Sequence, residues 1–268
     1  MSRMTPDLTA PHDLLNFYAE AGVDAALGET PNDYLTAPSP APPLAATSRP
    51  VQPVPVRQPE IKAAAAAPAA PDAAVMAARE AAKSAASLEE LRGLLESFEG
   101  CPLKATASRL VFADGNPEGR VMFVGEAPGR DEDIEGLPFV GRSGKLLDLM
   151  LKAIGLDRSK VYIANTVPWR PPGNRTPTPV ETQICLPFIQ RQIELADPDI
   201  LVSVGGPSAA ALLNMQGILK NRGRWVAYQT GTREIRAMAT LHPAYLLRSP
   251  IAKRLAWRDF LAIKKALS

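Results

Sequence analysis

The chain reads as an α/β protein with a mainly parallel, four-stranded central sheet covered by helices on both faces. Three observations predict this. Four short runs rich in Val, Ile and Leu, near 120–124, 160–164, 199–204 and 235–240, have the length and composition of buried strands. Helical stretches alternate with them near 143–154, 179–196 and 206–214, with a last at about 251–267, an order that marks parallel sheets. Residues able to do chemistry collect just past the strands, at Glu126, Asn165 and His242. In open α/β sheets that is where ligands bind.

The first 85 residues have a different character. Residues 1–99 hold 13 of the 27 prolines and carry 7 Lys/Arg against 13 Asp/Glu, whereas residues 100–268 carry 23 against 15. The net charge of +2 therefore combines an acidic arm with a basic domain. A basic domain suits a polyanionic partner, since neutralised phosphates release counterions. Within the arm, Leu14, Leu15, Tyr18, Ala21 and Val23 fall at near-helical spacing, and a short amphipathic helix is expected over 11–27. From about Pro31 to Pro71 a Pro/Ala/Ser/Thr composition offers too little apolar surface to offset chain entropy, and a disordered linker is expected. The division is an arm at 1–85 and a folded domain at 86–268. Ser87 and Glu90 form a capping box that opens a helix to about Phe98, and Arg224 to Tyr228 suggest a further short strand. Two cysteines, Cys101 and Cys185, make no disulfide framework and point to a reducing compartment. No apolar run approaches the ~18 residues of a membrane span, so a soluble, cytoplasmic protein is expected.

The first strand, Val121 to Val124, runs into a glycine-rich, acidic loop with Gly125, Gly129, Gly141 and Gly144 and with Glu126, Asp131, Glu132 and Asp133. Glycines there let backbone approach a flat ligand, and the acids argue against a phosphate cradle. Phe139, between Pro138 and Val140, is either a packed core aromatic or a platform under a planar base. Asn165 ends the second strand. A strand-end Asn is commonly a turn former, but a fixed carboxamide sets one acceptor beside one donor, which matches N3–H and O4 of uracil and mismatches cytosine. The proline-stiffened loop behind it carries Arg170 and Arg175. His242 precedes a proline after the last strand, followed by Tyr245, Leu246, Leu247 and Arg248. Those large apolar residues are either core or a wedge between bases, with Arg248 on a phosphate.

In order and spacing, four segments resemble the uracil-DNA glycosylase superfamily, family 4. They are Gly-Glu-Ala-Pro-Gly at 125–129, Pro-Phe-Val-Gly-Arg-Ser-Gly at 138–144, Asn165 with the Arg-Pro-Pro-Gly-Asn-Arg-Thr-Pro run from 170, and Leu-His-Pro-Ala-Tyr-Leu-Leu-Arg at 241–248. The resemblance covers about residues 97–268. It implies a three-layer α/β/α sandwich that excises uracil from DNA by hydrolysing its N-glycosidic bond. Gly125, Glu126 and Ala127 would line the pocket, with Glu132 beside it. Phe139 would stack on uracil, Asn165 would read its edge, and His242 would reach O2. Glu126, Asp131 or Glu132 would orient water or favour the sugar cation, Glu132 being the first choice, unless electrostatics carry most of the reaction; Glu132 is also the candidate that fills the space at C5 and refuses thymine. Arg170, Arg175, Tyr245, Leu246, Leu247 and Arg248 would face the DNA.

Two departures from the family pattern matter. Family 4 members usually hold a [4Fe–4S] cluster on four cysteines, and the corresponding positions here read Cys101, Lys104, Trp169 and Cys185. A cluster is not expected, and two thiols make no zinc site; Trp169 is expected to anchor the region, with the two cysteines as apolar fillers. Ala127 stands where family 1 has an Asp, so another group must handle the water. No histidine lies between Pro168 and Pro179, so turnover is expected and not the covalent trapping seen in a related branch. The expected partners are uracil-containing DNA and a protein docking on the arm, with no membrane, for a monomer. The alternatives are a non-catalytic DNA-binding scaffold and a glycosylase of wider damaged-base specificity.

Overall fold

The computed structural model describes residues 71–268, and the expected arm helix at 11–27 lies outside them. Six strands form one sheet: β1 (Asp114–Gly115), β2 (Val121–Gly125), β3 (Val161–Asn165), β4 (Ile200–Val204), β5 (Trp225–Gln229) and β6 (Glu234–Thr240). Their order is β1-β3-β2-β4-β6-β5. The four central strands are parallel, as expected, while β1 and β5 add antiparallel edges. The two-residue β1 carries no apolar pattern that a sequence reading could detect.

Side chains of the central strands alternate between two apolar clusters, as the period of two requires. Val121, Phe123, Ile163 and Val202 pack under α4 (Arg142–Ala153) and α9 (Lys253–Leu267), through Leu147, Leu151, Phe260 and Ile263. Met122, Val124, Ala164 and Leu201 pack on the other side, against α5 (Pro179–Ala196) and α6 (Gly206–Leu213). The result is the three-layer arrangement, and every residue of β2, β3 and β4 is buried. Thr178 and Glu181 close a capping box at the start of α5, with Pro179 in its first turn.

Outside α5 lies further helix. α2 (Leu88–Ser97) starts where the capping box predicts, Ser87 accepting from the Glu90 N–H at 3.1 Å. Ahead of it α1 (Pro71–Ser84) lays Ala74, Ala78 and Ala82 into the cluster shared with α2 and α5. Residues 71–85, read from composition as part of the arm, are thus packed onto the domain, whose folded part extends ahead of position 86. Two short helices follow β2 and β6: α3 (Arg130–Glu135) and α8 (Pro243–Arg248). The four-residue α7 (Ile218–Asn221) precedes β5.

Candidate active site

The chain runs from β2 outward to β3, then crosses back past β2 to β4 and β6. The connections leaving neighbouring strands β2 and β4 therefore diverge, which opens a crevice at their carboxyl ends. A cavity of about 770 Å³ occupies it. Each parallel strand delivers one contribution: Glu126 after β2, Asn165 at the end of β3, Gly205 after β4 and His242 after β6. The pairing of Gly125 with Asn165 and of Val204 with Thr240 keeps those ends level.

Phe139 lies in strained backbone, with φ at +55°, a conformation that costs non-glycine residues of order 1–3 kcal/mol. Three features hold it. Arg158 donates to the carbonyls of Pro138 and Phe139 while paired with Asp114 and Asp148. Gly144 leaves room for the Phe139 carbonyl, into which a Cβ would run. At Gly125 a Cβ would collide with Asn165 Oδ1 and come within 2.7 Å of the Phe139 ring. Gly125 and Gly144 thus make room for the pocket's own side chains, where the sequence suggested room for the ligand. The Phe139 ring lies 5.6 Å from that of His242, tilted 29°.

Asn165 is 5% exposed, and its carboxamide has no hydrogen-bond partner among the described residues. Its edge is left to the cavity. His242 caps α8, with Nδ1 accepting the Ala244 N–H at 3.1 Å. That bond assigns the proton of the neutral ring to Nε2. Burial, with the positive charge of Arg248 as a second cause, pushes the His242 pKa down to about 4. The ring is therefore a neutral donor at ordinary pH.

The acidic residues divide by environment. Both oxygens of Glu132 are engaged, Oε2 by the Gly129 N–H at 3.1 Å and Oε1 by those of Val140 and Gly141 at 3.1 and 3.0 Å. It ties the Phe139 loop to α3 and presents a fixed wall to the cavity, which conflicts with its expected use on the water. Asp133, another acid of the same loop, is buried and turned away. It accepts from the Ser108 N–H and hydroxyl at 2.8 and 3.0 Å and from the Arg109 N–H at 3.3 Å. Asp131 stays exposed beside Gly141. Glu126 faces the cavity with no ion-pair partner among the described residues, and burial raises its pKa, the Thr176 hydroxyl working the other way. Ala127 lines the cavity beside it, whereas Gly125, expected there too, lies buried behind Asn165 and Phe139.

The basic and apolar residues expected at the DNA divide as well. Arg175 lines the cavity but makes a two-pronged pair with Glu181, at 2.8 and 2.7 Å. That pair holds the Glu181 carboxyl down at about 2. Arg170 donates to Asn174 at 2.7 Å and stands 3.8 Å from Asp133. Both arginines therefore brace the loop after β3 before they meet any phosphate. Leu246, expected at the DNA, is 1% exposed and anchors α8 in the core. Leu247 is exposed, Tyr245 lines the rim, and Arg248 is exposed without an ion-pair partner among the described residues. In a one-turn helix, successive side chains point in different directions, so the wedge reading could not hold for all three apolar residues. Sequence reasoning missed Arg158, Gly205 and Thr176. Only Gly205, in the Gly-Gly pair that ends a strand, carried a visible signal.

The expected cluster region is tightly filled. Cys101 and Cys185 are buried with their sulfurs 3.8 Å apart. The contact lowers the Cys101 pKa, while that contact and burial raise that of Cys185. Trp169, 2% exposed, shares their apolar cluster with the alanines of α1. Lys104 turns outward to the Glu96 carbonyl and the Glu99 carboxylate. A [4Fe–4S] cubane needs four ligands of thiolate kind, and this chain has two cysteines. The residues present do not fit the group.

Known proteins resemble this chain over most of the described domain. The model of the uracil DNA glycosylase superfamily matches residues 112–261. A Type-4 uracil-DNA glycosylase of Sulfurisphaera tokodaii is 39% identical over 185 residues, covering 67% of this chain and 84% of the relative. That of Thermotoga maritima is 42% identical over 151 residues, 56% of this chain and 77% of the relative. That of Archaeoglobus fulgidus is 37% identical over 182 residues, 66% and 92%.

Proposed function

The chain belongs to the uracil DNA glycosylase superfamily, and from that premise we propose that it hydrolyses the N-glycosidic bond of deoxyuridine in DNA without an iron–sulfur cluster. Uracil is released and an abasic site remains. The observation that carries this reading is the convergence of the Asn165 carboxamide, the Phe139 ring and a neutral His242 on one cavity at the sheet's switch point.

The geometry does this chemistry as follows. A uracil turned out of the base stack lies on Phe139, whose ring is fixed by Arg158 and Gly144. Asn165 donates to O4 and accepts from N3–H, a pattern cytosine cannot meet. As the C1′–N1 bond breaks, its electron pair goes to the base, and Nε2–H of His242 donates to the growing charge on O2. A neutral donor already in position suits this task, because no reorganisation is needed as charge develops. The sugar left behind is cationic. Glu126, a cavity carboxylate with no ion-pair partner among the described residues and no backbone clamp such as holds Glu132, stabilises it and orients the water whose oxygen bonds to C1′. One proton of that water ends on the departing base or in solvent. Glu132, held by three backbone N–H groups, serves as the wall at C5 that a thymine methyl would strike. Packing around Trp169 does the holding that a cluster does elsewhere.

The test is turnover of a labelled oligonucleotide with one uracil, read by alkali cleavage on a denaturing gel. Asn165→Ala and His242→Ala are expected to lower kcat by about 10²-fold or more, as loss of an aimed donor does. Glu126→Gln should remove the acid limb of the wild-type pH profile, which burial of Glu126 sets above the ordinary carboxylate range. Metal analysis should find no stoichiometric iron. Absence of product from folded wild-type protein on any uracil substrate would sink the reading.

A further inference from the structure

We propose that the outer face of α9 is a binding track for single-stranded DNA flanking the flipped base, with Trp257 as its stacking platform. This rests on the glycosylase reading above and says which form of substrate the enzyme holds.

The face has an unusual composition. Lys253, Arg254, Arg258, Lys264 and Lys265 are all exposed, and none has an ion-pair partner among the described residues. The helix's one acid, Asp259, is 1% exposed and turned inward, where Arg222 and the Thr240 hydroxyl engage it. Among the described residues, no acidic side chain on the outer face offsets its cations. Among them stand two large apolar side chains, Trp257 at 44% exposure and Leu261 at 42%. A helix face that only needed solubility would carry charges of both signs and no exposed indole. Cations interleaved with an aromatic ring are what single-stranded nucleic acid takes, because phosphates need charge and every base offers a face to stack.

Position supports the same partner. α9 starts just past α8, whose Tyr245 and Arg248 line the cavity. It ends at the amino end of the central strands, where Arg120 at the foot of β2 donates to the Leu267 carbonyl at 3.0 Å. The cationic row therefore begins five residues beyond Arg248 and runs from the end of the sheet that holds the cavity towards the other. From Lys253 to Lys265 the helix rises about 18 Å, the length of about five nucleotides at a stacked rise of about 3.4 Å. Arg254 and Arg258 lie one turn apart on the same face. The Asp259–Arg222–Thr240 bonds lock the helix to the end of β6, two residues before His242. A strand lying on α9 is thereby held in fixed register with the pocket.

The experiment compares kcat/KM on single-stranded oligonucleotides that carry one uracil and differ in flank length, for the wild type, Trp257→Ala and Lys253→Gln/Arg254→Gln/Arg258→Gln. The wild type should gain from longer flanks. The triple variant should lose about tenfold on the long substrate through KM, keep its rate on the shortest one, and show a log–log salt slope smaller by about two, at about 0.7 per released phosphate contact. Trp257→Ala should lose a similar factor on the long substrate. Independently of turnover, uracil-free single-stranded DNA should quench the fluorescence of the wild type and not that of Trp257→Phe. Equal losses on long and short substrates, losses confined to duplex, or unchanged flank dependence would each overturn the proposal. So would variants that bind anionic vesicles less well yet handle DNA as the wild type does. Failure of the glycosylase reading is distinct: it would show as no turnover of any substrate by the wild type, whatever the quenching.

Discussion

Gly125 shows how a single atom sets this site. Asn165 and Phe139 reach the cavity because the residue between them has no side chain, and a Cβ there would meet both. Gly125→Ala is expected to leave the fold intact and lower kcat by about 10²-fold, the scale on which a misplacement of about 1 Å is felt. Circular dichroism with single-turnover kinetics checks this, and wild-type kcat in the variant would refute it. Phe139, Asn165 and His242 line the cavity; the sequence singled out Asn165 and His242 because each stands at the end of a recognisable strand, and Phe139 because it sits within the glycine-rich loop. The sequence did not separate the roles of Glu132 and Asp133, since a run of acids does not reveal which carboxylates backbone N–H groups will claim. Leu246 and Leu247 teach the same lesson: neighbours of one chemical type, one buried at 1% and the other exposed at 37%.

Among the elements, α1 is the one composition concealed. Its alanines look like low-complexity linker, yet alanine has the highest helix propensity and small side chains permit close helix contact. At Ala74, Ala78 and Ala82 the i, i+4 spacing makes one continuous face, and α5 provides the surface that buries it. A chain starting at residue 71 is expected to melt with the full-length protein. One starting at 86 should melt several degrees lower, at about 2–4 °C for each kcal/mol lost. Calorimetry on the two truncations decides, and equal melting temperatures would mean that α1 adds no stability. The same apolar cluster carries Trp169, Cys101 and Cys185, so α1 covers the region that relies on packing alone.

For the whole molecule, acid stability follows from the site. An unfolded histidine titrates near its ordinary pKa of about 6.5, while folded His242 titrates at about 4. Between those values the unfolded chain binds the proton and the folded chain does not. Stability is therefore full above about pH 6.5 and falls as pH drops towards 4. Glu181, held at about 2 by Arg175, adds a loss in the next window, from its ordinary value near 4.5 down through 2. Urea denaturation across pH should show a shallower slope between about 6.5 and 4 for His242→Asn than for the wild type. An unchanged slope would mean that His242 is not buried neutral.

By itself the sequence determined the four parallel strands, the helices between them and the residues at the strand ends. These are local properties, written as apolar runs, caps and glycines at fixed spacing. Only the tertiary structure decided that the alanine-rich segment Pro71–Ser84 belongs to the domain and that Glu132 is a clamp. It also decided that two of the expected DNA arginines are already paired, and that the cations of α9 share one outward face with Trp257. Each of those outcomes depends on which surfaces meet across long sequence separations, and burial, pairing and exposure exist only once they have met.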